Sequence, residues 1–121
     1  MKDNAMALPT HPIDNEYIKE WLILGPFFPD DPEADFLTNV GGEANVCPRE
    51  GDTVTTPDGQ RLMWTRYCAK GPIIDLPDAV GGIEPLMVYA ACDLNAETDG
   101  EARLYFSHGE PFAIWVNGQP V

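Results

Sequence analysis

The run Ala113-Ile114-Trp115-Val116-Asn117-Gly118-Gln119-Pro120-Val121 decides the fold class. Four residues suited to a strand lead into Asn117-Gly118, a pair that tolerates positive φ at both positions and marks a two-residue hairpin turn. Just upstream, Ala102, Leu104 and Phe106 alternate with Arg103, Tyr105 and Ser107, the period of a half-buried strand. A Gly109-Glu110-Pro111 break separates the two runs. After the turn only Gln119, Pro120 and Val121 follow, and Pro120 has no N–H to give a ladder. The spacing therefore predicts a sheet that stops unfinished at its C-terminal side.

The same signals recur upstream. Leu86 to Leu94 reads as a central strand, with Met87, Tyr89 and Ala91 opposing Leu86, Val88, Ala90 and Cys92. Arg61 to Tyr67 reads as one strand, joined through an Asp58-Gly59 turn to a short Thr53-Val54-Thr55 strand. Lys19 to Leu24 is apolar on both faces, as a strand between neighbours requires, and Gly25-Pro26 should end it. Ala34 to Leu37 is expected to form one helical turn, closed by Gly41-Gly42. Twelve prolines and eleven glycines among 121 residues favour short strands and many turns over long helices. The prediction is one all-β domain, a β-sandwich or jelly roll that is incomplete at the C-terminus. A polar, flexible arm is expected over residues 1–17, and the sandwich module over 18–121.

Twenty acidic residues against seven basic ones leave a net charge of −13, which repels phosphate backbones and anionic headgroups. Nucleic acid is excluded as a partner class, and no apolar run is long enough for membrane insertion. The first twelve residues have no apolar core of signal-peptide length. Cys47, Cys68 and Cys92 are an odd number with no CxxC pair, and His11 and His108 are not spaced with them as zinc ligands. Isolated thiols are the expectation.

Catalytic patterns are thin. Ser107 and His108 are neighbours in a strand-like run and point to opposite faces, so they do not share a proton, and there is no GxSxG elbow. The chain reads as a non-enzyme. Asp30, Asp31, Glu33 and Asp35 crowd hard oxygen ligands into one loop, the donor type that suits calcium, although without the EF-hand spacing. Asp93, Asp99 and Glu101 form a second, weaker set. Trp64, Tyr67, Tyr105 and Trp115 offer flat π surfaces on which a sugar ring can stack. Filling of the core by Trp21, Trp64 and Trp115 is the competing expectation. Tyr67 and Tyr105 lie on the more polar faces.

Glu20-Trp21-Leu22-Ile23-Leu24-Gly25-Pro26-Phe27 resembles the "WLVLGPF" opening strand of bacterial galactose-binding-like modules. Gly41-Gly42-Glu43-Ala44-Asn45, Glu50 to Val54, Leu62 to Tyr67, Val88-Tyr89-Ala90 and Ile114-Trp115-Val116-Asn117-Gly118 continue the likeness through residues 18–121. The family reads "GSDDG" before its last hairpin, where this chain has Phe106-Ser107-His108-Gly109-Glu110, so the adjacent aspartates are missing. The resemblance implies a non-catalytic jelly-roll accessory module in a larger extracellular or cell-envelope bacterial protein.

Three functional readings follow. In the first the module binds carbohydrate: Tyr67, Tyr105 and Trp115 supply stacking surfaces, His108 and Glu110 orient the ring, and calcium at Asp30, Asp31, Glu33 and Asp35 is the one cofactor suggested. In the second it is a structural or interaction domain that binds no small molecule and docks neighbouring domains of a longer chain. In the third it is a fragment of a glycoside hydrolase, which needs two facing carboxylates in a cleft. An open sheet edge at Ala113 to Asn117 also predicts self-association.

Overall fold

A computed structural model describes residues 7–14, 16–27, 35–56, 59–71, 87–101, 103 and 113–121. Nine short strands and one 3₁₀ turn make up its regular structure, so the all-β expectation holds among the described residues. In chain order they are β1 (Thr10–Pro12), β2 (Glu20–Phe27), the 3₁₀ turn Thr38–Val40, β3 (Thr53–Thr55), β4 (Arg61–Met63) and β5 (Thr65–Cys68). Then come β6 (Met87–Ala91), β7 (Asp93–Asn95), β8 (Trp115–Val116) and β9 (Gln119–Pro120). Among the described residues no helix is long and apolar enough to cross a membrane.

The doubly apolar segment sits where its pattern requires. β2 is the middle of a β5-β2-β6 sheet, antiparallel to both neighbours, and Leu22, Ile23 and Leu24 are almost fully buried. Gly25-Pro26 does not end this strand, contrary to expectation. β2 runs on to Phe27 through a bulge: Leu24 pairs with Tyr89, the register shifts, and Phe27 pairs with Met87. The bulge leaves Pro26 outside the ladder, so its missing N–H costs no pairing. Gly25 is needed there because a Cβ would lie 3.0 Å from the Met87 carbonyl oxygen.

The expected single strand Arg61 to Tyr67 is two strands. β4 pairs with β3 and β5 with β2, and Trp64 stands between them. Its N–H donates to the Asp52 carbonyl at 2.8 Å and its own carbonyl accepts from Gly51 at 2.9 Å. Trp64 is thus the corner at which the chain changes sheets. Its ring is buried with Leu22, Leu24, Phe27, Leu37, Val54 and Leu62, so side chains from both sheets share one core. Of the three tryptophans expected there, only Trp64 is fully enclosed, while Trp21 and Trp115 are half-buried.

The strand expected over Leu86 to Leu94 breaks at Cys92 into β6 and β7. β7 pairs in parallel with β1, so the polar N-terminal segment, expected as an arm, contributes a strand at Thr10–Pro12. The helical turn expected at Ala34 to Leu37 lies at Thr38–Val40, ending in a left-handed Gly41.

The C-terminal hairpin closes despite Pro120. Asn117 and Gly118 have φ of 51° and 79°, the left-handed pair that a type I′ turn demands. Val116 pairs with Gln119 and Trp115 with Pro120, and the Val121 N–H reaches the Ile114 carbonyl at 3.0 Å. Antiparallel pairs alternate between bonded and non-bonded, and Pro120 falls on a non-bonded pair whose N–H would point away from β8. Cys47, Cys68 and Cys92 are free thiols.

Candidate functional site

A polar constellation among the described side chains joins the loop after β2 to β6. Asp35 anchors it. One carboxylate oxygen accepts the Leu37 N–H at 2.9 Å and the other the Glu43 N–H at 3.0 Å. Two backbone donors from different parts of the loop, Leu37 and Glu43, are thereby pulled onto one side chain. Gly42 adjoins the second oxygen and has a φ of 89°, the left-handed region that favours glycine. Glu43 then turns inward, and its carboxylate accepts a hydrogen bond from the Tyr89 hydroxyl. The same hydroxyl accepts the Phe36 N–H at 3.2 Å.

The rings beneath hold this arrangement in place. Phe27 stacks on Phe36 with centroids 4.8 Å apart, and meets Tyr89 edge-on at 5.5 Å. Partial burial raises the Glu43 carboxyl above its ordinary value; the Tyr89 hydrogen bond opposes that shift and the nearby Asp35 charge adds to it. Burial, reinforced by the bond to Glu43, pushes the Tyr89 phenol far above its ordinary range, so it stays protonated and remains a donor.

A second polar group lies on the β2–β5 side. Arg66 bonds Glu20 and Glu50, each at 3.2 Å, and reaches the Ala7 carbonyl at 3.1 Å. It ties the N-terminal segment to the sheet and borders an open recess of about 360 Å³, shared with residues 7–10, Glu20 and Asp93.

Of the stacking candidates, Tyr67 is half-buried on β5, across the ladder from Trp21. Trp115 is half-buried on β8, opposite Pro120. They belong to different sheets. Tyr105, His108 and Glu110 lie outside the described residues, as do Asp30, Asp31 and Glu33. Asp35, the one described member of the acidic loop, organises the backbone as an acceptor. Among the described residues no group of three His, Cys, Asp or Glu side chains is disposed to hold a metal ion; Asp93, Asp99 and Glu101 are all exposed.

Glu43, Tyr89 and Arg66 were not singled out by the sequence. Tyr89 had one legible signal, a polar tip on the alternating β6 segment, because a hydroxyl in such a place needs a partner. The chain matches no family model, no curated protein and no solved structure.

Proposed function

We propose that this chain is a non-catalytic accessory module of the jelly-roll, galactose-binding-like kind, acting as a structural or interaction domain within a larger extracellular bacterial protein. One observation carries the reading: among the described residues, the clustered polar side chains Asp35, Glu43, Tyr89 and Arg66 are already engaged with one another, with other side chains or with the backbone. Asp35, Glu43 and Tyr89 close a loop onto β6, and Arg66 bonds two glutamates and the Ala7 carbonyl. Such groups stabilise what they join and keep little capacity for substrate.

Carbohydrate binding is the second reading. It is favoured by Tyr67 and Trp115, which are half-buried rather than enclosed and are of the side-chain type that stacks on a sugar ring. A glycan-array screen of the folded protein, with and without calcium, separates the two. The structural reading expects silence in both conditions. Binding that vanishes in Trp115→Ala or Tyr105→Ala would replace it with the carbohydrate reading, and calcium dependence lost in Asp35→Ala would bring the acidic loop into the site.

A further inference from the structure

The Gly41–Asn45 loop touches two parts of the molecule that share no strand pairing. On one side Glu43 accepts from Tyr89 of β6. On the other, the adjacent residue meets the C-terminal hairpin: a Cβ at Gly118 would stand 2.9 Å from the Ala44 carbonyl oxygen, so the turn backbone is pressed against the loop backbone. The loop between these contacts is braced internally. The Gly42 N–H donates to the Leu37 carbonyl at 2.8 Å, the Asn45 N–H to the Gly42 carbonyl at 3.2 Å, and the Asn45 side-chain amide to the Gly41 carbonyl at 3.1 Å. A braced segment gripped at neighbouring residues moves as one piece.

We infer that Gly41–Asn45 is a strap that couples the β8–β9 hairpin to β6, so that loosening either end loosens the other. β8 and β9 supply four paired residues and pair only with each other among the described strands. An isolated hairpin is marginal in water, so its order must come from what it leans on. Among the described residues, the loop backbone at Ala44 is one surface that it leans on. Energetic coupling of this kind is reciprocal, which makes it testable from both ends.

The test is amide hydrogen exchange on the intact chain, read at three positions. Gly42 reports the loop, Val121 the hairpin through its bond to Ile114, and Asp93 the separate β1–β7 pairing through its bond to Pro9. Tyr89→Phe, which removes the hydroxyl bonded to Glu43 of the loop, should lower protection at Gly42 and also at Val121. The expected loss is about two- to tenfold, the equivalent of one ordinary hydrogen bond, with Asp93 unchanged. Gly118→Ala, made at the opposite end, should lower protection at Gly42 by a similar factor. Loss at Gly42 without loss at Val121 in Tyr89→Phe would overturn the inference. So would equal loss at all three amides in both variants, because the strap would then have no opening of its own.

Discussion

Glu43 is a carboxyl whose environment works against its charge, and that has a pH signature. Its folded value lies above the ordinary 4.5, chiefly through burial. A carboxyl with a raised folded value binds its proton more tightly in the native state. Its contribution is therefore complete below the unfolded value of about 4.5 and is lost as pH rises through the folded one. Wild type should accordingly lose stability relative to Glu43→Gln as pH climbs from that point towards neutrality. Glutamine keeps an acceptor for Tyr89 and has no charge to bury. Urea unfolding of both proteins across this window checks the sign, and parallel curves would refute it. This residue-scale chemistry was hidden in the sequence for a physical reason. Glu43 and Tyr89 are 46 residues apart and meet only after β6 has paired with β2. Asp35 was legible as an acidic residue among acidic neighbours, but composition does not tell a cation's ligand from a backbone acceptor.

Elements were more legible than residues where the local pattern and the tertiary environment agree. The two apolar faces of Trp21 to Leu24 foretold a central strand, and β2 is central. Asn117-Gly118 foretold a hairpin, and both residues occupy the left-handed region. The change of sheet at Trp64 could not be read because the alternation runs straight through it: Leu62 and Trp64 are both buried, as successive inward residues of one strand would be. Likewise Gly25-Pro26 is a stop signal by propensity, but a bulge absorbs it. At this scale Gly118→Ala is the informative substitution. It combines φ of 79° with a contact of 2.9 Å against the Ala44 carbonyl. A left-handed alanine alone costs about 1–2 kcal/mol, so chemical denaturation should show at least that loss. Asn117→Gly, at φ of 51°, should be close to neutral. Equal effects of the two would mean that the turn is not built as described.

The whole molecule carries a charge of −13 and also leaves Val116 and Val121 exposed on its last hairpin. Charge repulsion holds copies apart at low ionic strength, whereas an exposed strand edge invites pairing. Added salt shortens the screening length from about 30 Å at 0.01 M to about 3 Å at 1 M, so association should grow with salt in sedimentation experiments. A monomer at every salt concentration would argue that the hairpin edge is covered. A fold-stabilising role for the Asp35–Glu43–Tyr89 cluster and a ligand-binding one predict opposite signs. Polar groups kept for binding are commonly held at some expense to stability, so that removing one leaves a protein unharmed or improved. Groups kept for the fold cost stability when broken. The most direct measurement is the unfolding free energy of Tyr89→Phe against wild type at one pH. Loss of the hydroxyl that serves both Glu43 and the Phe36 N–H should destabilise the protein by about 1–3 kcal/mol. A Tyr89→Phe protein as stable as wild type, or more so, would contradict a fold-stabilising role and favour a binding role for the cluster.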